Sequence, residues 1–435
     1  MSCWDEAIKL EQDVAKYHAR QCLNGVGFDM EEATHLANHL ERELKAVIRL
    51  IMKDIPLKAK QHLTTVNKPF LKNRDMSKSV LEWYGTKNDV VAPFTRITFE
   101  PLNINSHIQI KDYLLTQGWQ PTTYTEKGSP KLTEDSYHSV KGDVGRLLAK
   151  KNVLTHRLNM VRNPSKEKGF IYMVRDDGCI EADAITLGAA TGRYAHIGVA
   201  NLPRPTTAYG AEIRSLFCVP ESRIMLGWDL SGIENRIAAH YLSAYDKGVF
   251  AKEVLEGDFH QTTADAIGIS RNEAKTFRYM TLYGGRPKKI AATMGWKLAK
   301  ARKVYKAFWE KEKALTKLQK ALESAIKKGY IKGLDGRKLY PRSQHALINF
   351  LFQSAATIVF KKALVLMNEG LDRASIDWKQ LIAYHDEAQL EICEKDVDIV
   401  SEVVQHSVQA AGEYYNLTVP IECDIKVGRN WADCH

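Results

Sequence analysis

The sequence predicts a mixed α+β fold, rich in helix and sparing in strand. Two observations carry that expectation. Long stretches place apolar residues at three- and four-residue spacing, as in ATHLANHLERELKAVIRLIM (33–52) and ALINFLFQSAATIVFKKALVLMNEGL (346–371). Strand-like patterning is confined to short runs. Two of these, QLIAY (380–384) and AQLEI (388–392), flank His385, Asp386 and Glu387 as a candidate β-hairpin with its charges at the tip.

The elements follow in chain order. Residues 1–56 read as helical and stop before Pro56, whereas 57–135 mix turn residues with Lys. Residues 136–162 are again helical and basic. FIYMVRDDGCIEADAIT (170–186) reads as two short strands around an Asp-Asp-Gly turn. RIMLGWD (223–229) is a strand candidate, SGIENRIAAHYLSAY (231–245) a helix, and helices dominate from 243 to 330. GLDGRKLYPRS (333–343) is a turn-rich break before the long apolar helix and the hairpin, and VDIVSEVVQHSVQAAGEYY (397–415) is a last helix.

The chain has 435 residues, 44% hydrophobic and 26% charged, enough for two or three subdomains. A formal charge of +10 suits a polyanionic partner. Seven scattered cysteines without a CxxC pair argue against a disulfide framework or a zinc site and for a reducing, cytoplasmic setting. No apolar run reaches the roughly 18 residues of a membrane span, the longest being interrupted by Asn349, Gln353 and Ser354. The expectation is therefore of no membrane partner, and the N-terminus has no signal-peptide pattern.

Four constellations carry chemistry. The hairpin tip offers Asp386, which is either a solvated turn residue or a metal ligand. LGWDLSGIENR (226–236) places Asp229 at the end of an apolar strand, with Ser231 as the expected helix N-cap and Glu234 in the first turn. In SRNEAKTFRYMTLYGG (270–285), Ser270 and Glu273 form a capping box; Arg271, Lys275 and Tyr279 then share one helix face, and Tyr283 follows a turn later. Two cations and a ring in line can grip phosphates and stack a base, or form a solvated basic face. His345, Asn349 and Gln353 make a polar stripe on an apolar helix, facing either a duplex edge or an internal hydrogen-bond network.

Together these stretches resemble DNA polymerase family A, most closely its phage replicative branch. TGRYAHIGVANLP (191–203) resembles the family's TGR…NL segment, GWDLSGIENR its motif A, RNEAKTFRYMTLYGG motif B and His385-Asp386-Glu387 motif C. EGDFHQTTA, DGRKLYPRSQHALINFLFQSA and the closing VGRNWADCH also match, in the family's order. The resemblance covers residues 136–435 and, more weakly, 1–135.

The resemblance implies a right-hand polymerase: an antiparallel palm sheet with helical fingers and thumb. It sets the thumb and N-terminal helices at 1–165, the palm at 166–244 and 343–435, and the fingers at 245–342. Asp229 and Asp386 become the ligands of two Mg²⁺ ions, with Mn²⁺ as a substitute, the Leu230 carbonyl assisting and Glu387 supporting the site. Arg271, Lys275 and His260 would contact the triphosphate, and Tyr279 would stack near the incoming base, its hydroxyl favouring dideoxynucleotides. Glu234 would close the sugar pocket, and Tyr283 would border the template. Arg193, His345, Asn349, Gln353 and His385 are the expected contacts to primer-template DNA, and the basic segments imply binding that weakens steeply with salt.

Two departures stand out. Pro203 replaces a hydrogen-bonding residue of the family, putting one template contact in doubt, and Arg278 stands where an apolar residue is common, which would alter the surface of the fingers. The sequence begins where the family's thumb begins, so proofreading is expected to be absent or supplied by a separate exonuclease. Asp29-Met30-Glu31 reads as a helix cap rather than a nuclease motif. A processivity factor would use residues 57–98, which look short for that purpose. The rivals are a single-subunit RNA polymerase, disfavoured by Glu234 and the His-Asp-Glu tip, and a catalytically silent nucleic-acid-binding protein, disfavoured by intact Asp229, Asp386, Arg271 and Lys275.

Overall fold

A computed structural model describes residues 4–55, 57–84, 92–121, 128–132, 137, 140, 142–341 and 346–434. The chain divides into two compact units, Met1–Asn38 with Arg157–His435, and His39–His156. In the smaller unit, strands Lys58–Val66 and Phe94–Glu100 pair antiparallel. The Ser106 side chain caps helix His107–Thr116 by accepting the Gln109 N–H. Lys151 is buried and donates to the Ile104 carbonyl and the Asn105 side chain. The stretch expected to meet a processivity factor lies partly on this ribbon and partly outside the described residues.

The larger unit opens with helix α1 (Asp5–Asn24), which ends at Gly25 in the left-handed region, φ +65°. The strand Val26–Phe28 follows, paired with Cys179–Ile180 and Phe217–Cys218. Asp29 then accepts the Glu32 N–H at 2.8 Å, the cap expected there. The segment 170–174 departs from expectation. Phe170–Met173 is a 3₁₀ turn, and Val174 alone bridges to Ile180. Phe170 packs edge-on against Phe28 and Phe217, and that burial overrides its strand propensity.

Strand β1 (Ile224–Leu230) runs into helix α2 (Ile233–Asp246). The turn between them is made by Gly232 at φ +58°. Ser231, the expected N-cap, instead donates its N–H to the Glu422 carbonyl, and no side chain caps the helix. The strand-to-helix turn needs a left-handed residue, which glycine adopts without strain. Two further helices are α3 (Phe259–Ile267) and α4 (Arg271–Leu282), with Asp258 and Ser270 as side-chain N-caps and the expected capping box formed. Gly284 (φ +77°) ends α4, and the Gly285 N–H returns to the Met280 carbonyl.

Helix α5 (Leu347–Arg373) is the spine of this unit. It is followed by β2 (Trp378–Tyr384), β3 (Glu387–Ile392), helix α6 (Val397–Tyr414) and β4 (Cys423–Gly428). The four strands form an antiparallel sheet in the order β2-β3-β1-β4. Ala388, Leu390, Trp228 and Leu226 join one core with Val359, Phe360 and Ala363 of α5 and Val400, Val404 and Val408 of α6. Each large apolar side chain so buried contributes about 1.5–3 kcal/mol.

The alternation of apolar and polar residues in β3 suits a half-buried strand, yet all six of its residues are buried. Of its polar residues, Glu387 lies against Trp431 and Arg214 and Glu391 against Arg223, and Gln389 is buried as well. Helix α5 is also long and apolar enough to cross a membrane by length and composition, which the sequence reading did not foresee; 78% of its apolar window is buried within the fold. Inside it, Lys361 is fully buried and donates to Glu11 at 2.6 Å and to the Thr186 carbonyl at 2.8 Å. Arg337 bonds the same Glu11 and also Asp335, so a paired charge network ties α1 to α5.

Candidate active site

The site is built where β1 meets the hairpin. Asp229 lies opposite Glu387 of β3 on one side and Asp424 of β4 on the other. The Leu230 N–H donates to the Asp386 carbonyl at 3.1 Å, which ties the hairpin tip to the end of β1. His385 takes φ +59° so that the two-residue loop can close between Tyr384 and Glu387. Asp386 and Asp229, 157 positions apart in sequence, therefore sit at one end of the sheet.

Their environments differ. Asp229 is exposed, whereas Asp386 is half-buried. Burial pushes the Asp386 carboxyl above the usual range; the Arg193 charge opposes that shift, and Glu387 and Glu234 add to it. A cation at this carboxylate would relieve the cost. The donors gathered here are carboxylates and backbone carbonyls, the oxygen set that suits Mg²⁺ or Mn²⁺. The residues present fit a hard divalent ion.

Glu387 is 4% exposed and points away from solvent. It accepts the Trp431 indole N–H at 3.2 Å and lies 3.7 Å from Arg214, whose guanidinium stacks on the same indole at 4.8 Å. Arg214 donates to the Pro203 carbonyl at 2.9 Å. Pro203 therefore supports the site through its backbone carbonyl.

A second cluster lies beside the first. Glu234 accepts from Arg193 at 3.2 Å and from the Tyr283 hydroxyl, which is 2.8 Å from each carboxylate oxygen. Tyr283 also hydrogen-bonds Gln353, and burial together with Glu234 pushes its phenol up to about 12. Arg193, Glu234, Tyr283 and Gln353 thus come together from four separate stretches. Tyr283 was expected on the template side; here its hydroxyl braces Glu234. Asn349, one turn before Gln353 on α5, is half-buried, and His345 lies outside the described residues.

The α4 face forms as expected. Arg271 pairs with Asp258, the cap of α3, and Lys275 is exposed. The Tyr279 hydroxyl accepts from Asn235 at 3.4 Å, and its ring lies 6.0 Å from that of His260. His260 is 7% exposed, with no hydrogen-bond partner at Nδ1. Burial lowers its pKa to about 4, with Arg278, Lys275 and Arg271 adding to the shift, so it is neutral at pH 7 and can offer a phosphate one N–H.

Arg278 corrects the sequence expectation. It is 3% exposed and does not reach the surface. Its guanidinium bonds Glu312 at 2.9 Å and Thr263 at 3.2 Å and sits over the Phe250 ring at 4.7 Å. Sequence reasoning also missed Arg214, Asp424 and His196, the last stacked on Tyr384 at 4.4 Å and edge-on to His385 at 5.1 Å. No local pattern marks Arg214 or Asp424: Arg214 gains its role from long-range contacts with Glu387, Trp431 and the Pro203 carbonyl, and Asp424 from strand register. Trp431 and His196 were inside stretches already matched to the family, and that was the available signal.

Comparison with known proteins gives this geometry its context. The profile of DNA polymerase family A matches residues 76–433. The DNA-directed DNA polymerase of Escherichia phage T7 is 29% identical over 381 residues, covering 79% of this chain and 54% of its own. That of Escherichia phage Phieco32 is 26% identical over 412 residues, covering 75% and 66%. The chain thus spans about half the length of the T7 polymerase that it matches. In structure, the POL domain of Pol1 from M. smegmatis, solved in complex with DNA primer-template and dNTP, superposes with a TM-score of 0.77 at 19% identity, over 97% of this chain and 70% of that one. That likeness bears out the α+β polymerase fold, and the profile match over most of the sequence shows that this chain belongs to DNA polymerase family A.

Proposed function

We propose that this chain is a template-directed DNA polymerase, acting in phage DNA replication in the cytoplasm of a host cell, and that it adds deoxynucleotides to a primer 3′ end. The observation that carries the proposal is the junction of the hairpin with β1. The Leu230–Asp386 bond brings two carboxylates to one strand end, beside a helix face of cations and a tyrosine.

Asp229 and Asp386, with the Leu230 carbonyl, would hold two divalent ions, which supply Lewis-acid stabilisation of the attacking and leaving oxygens. Glu387 keeps the hairpin tip in place through Trp431 and Arg214. Arg271 and Lys275 bind the triphosphate. Arg271 exchanges Asp258 for phosphate when substrate arrives, and His260 donates one neutral hydrogen bond. Tyr279 offers a ring to the incoming base and a hydroxyl to the sugar region. Glu234, held by Tyr283 and Arg193, forms the wall that excludes a 2′-OH. The same wall favours DNA over RNA synthesis. Asn349 and Gln353 face the primer end of the duplex, with Arg193 and His385 at its margin, and His345 is proposed with them on sequence grounds.

Primer extension tests the proposal. Deoxynucleotides with Mg²⁺ should extend a labelled primer according to template, chelation should stop extension, and ribonucleotides alone should fail. Template-independent products, or extension unaffected by chelation, would refute it. The same gel reports any 3′ degradation.

A further inference from the structure

A second constellation lies outside this machinery. His18 and Cys22 are one turn apart on α1, and the loop before the short strand Ala184–Ile185 brings Asp183 to them. His18 Nε2 is 3.1 Å from Asp183 Oδ1, Cys22 Sγ is 3.5 Å from His18 Nε2, and Cys22 Sγ is 3.7 Å from Asp183 Oδ1. One ligand atom from each residue lies within 4.8 Å of the other two. A tetrahedral zinc ion with bonds of about 2.0 Å to N and O and about 2.3 Å to S has ligand-to-ligand edges of about 3.3 Å for N···O and about 3.5 Å for S···N and S···O. The observed triangle matches those edges without rearrangement.

The Ala184 N–H is shared between His18 Nε2 at 3.1 Å and Asp183 Oδ1 at 2.7 Å, and a bound metal would take over the His18 lone pair from it. His18 is 9% exposed, while Cys22 and Asp183 are half-buried, so the site is rigid on one side and open on the other. The exposed Glu181 carboxylate lies near the Cys22 thiol and would swing in as a fourth ligand. Sequence spacing could not reveal this site: its ligands lie at 18, 22, 181 and 183, and only one is a cysteine.

We propose that His18, Cys22 and Asp183, completed by Glu181 or water, bind one divalent transition metal of borderline softness, with zinc the best fit. The donor set is thiolate, imidazole and carboxylate, which selects zinc or cobalt over the magnesium expected at the carboxylate site. On binding, the Cys22 thiol proton is released to solvent and a sulfur–metal bond forms. The role is structural. The metal clamps α1 to the segment carrying Ala184, which pairs with His196, the residue stacked on Tyr384 of the catalytic hairpin. The inference does not depend on the polymerase assignment.

The test is metal uptake by the full chain. After chelation and exchange into Co²⁺, about one equivalent should remain bound per chain, with a thiolate-to-cobalt charge-transfer band that excess Mg²⁺ does not remove. Cys22→Ser should abolish the band, Asp183→Asn should weaken affinity at least about tenfold (~1.4 kcal/mol), and Cys423→Ser, which removes the thiol beside Asp229, should leave the band intact. Bound Zn²⁺ should also shield Cys22 of the unmutated chain from alkylation, a readout that needs no variant. No stoichiometric uptake, a band surviving in Cys22→Ser, or alkylation unchanged by zinc would each overturn the proposal and leave a hydrogen-bonded triad only.

Discussion

Removing one hydroxyl from Tyr283 tests the sugar wall more finely than removing the wall itself. Glu234 is held by the Tyr283 hydroxyl, 2.8 Å from both carboxylate oxygens, and by Arg193 at 3.2 Å. Tyr283→Phe deletes the shorter contact, keeps the ring and leaves Arg193 in place. A hydrogen bond to a charged group is worth about 1.5–3 kcal/mol. Tyr283 is 43% exposed, so water replaces part of that and the lower end applies. About 1.5 kcal/mol corresponds to roughly a tenfold relaxation of sugar discrimination. Glu234→Ala removes the wall and should relax it further. The assay is single-nucleotide primer extension, comparing kcat/KM for a ribonucleotide with that for the matching deoxynucleotide. The predicted order of ribonucleotide use is parent, then Tyr283→Phe, then Glu234→Ala. Unchanged discrimination in Glu234→Ala would refute the wall, and Tyr283→Phe equal to the parent beside a relaxed Glu234→Ala would refute the brace.

Tyr279→Phe should lower dideoxynucleotide use relative to deoxynucleotide by about tenfold if the hydroxyl supplies one net hydrogen bond at the sugar; equal termination by both proteins would remove that role. Arg278→Leu strips a half-buried Glu312 of its cation and should cost about 3 kcal/mol, whereas Arg278→Leu with Glu312→Leu should recover most of it, read from urea midpoints. A single variant within 1 kcal/mol of the parent, taking ~1 kcal/mol as the resolution of the method, would show that the pair is not structural. His260 and His196 both have folded pKa values lowered to about 4, so the unfolded chain binds more protons between pH 4 and its ordinary value of 6.5. Stability should therefore fall on acidification from 6.5 towards 4, by up to about 1.4 kcal/mol per pH unit for each histidine, and His260→Gln should flatten the slope.

The parts of the fold legible in the sequence are those set by local rules. The capping box at Ser270, the apolar strand ending in Asp229 and the hairpin around His385 and Asp386 follow from neighbours in sequence, although Glu387, read as part of the tip, is the first residue of β3. What failed was set at a distance. Ser231 has the chemistry of a cap, but the turn geometry gave the position to Gly232. Arg278 looks like a surface residue until Glu312, 34 positions on, supplies its counter-charge. The polar face of β3 reads as solvent-facing because Trp431 and Arg214, which cover it, lie far away in sequence. At the candidate site, the motifs name side chains that the fold gathers: Asp229 with Asp386, and Glu234 with Arg193, Tyr283 and Gln353. The bond from Tyr283 to Glu234 depends on how two helices pack, and the placing of Asp424 beside Asp229 on strand register; neither is local in sequence.

The central claim is that Asp229 and Asp386 jointly hold a pair of divalent ions. Anomalous diffraction from crystals of the chain with primer-template, an unreactive deoxynucleotide analogue and Mn²⁺ reads this out directly. The account predicts two manganese peaks about 3.5–4 Å apart, both within bonding distance of Asp229 and Asp386. Manganese absent from these carboxylates, or bound to one of them without the other, would contradict it.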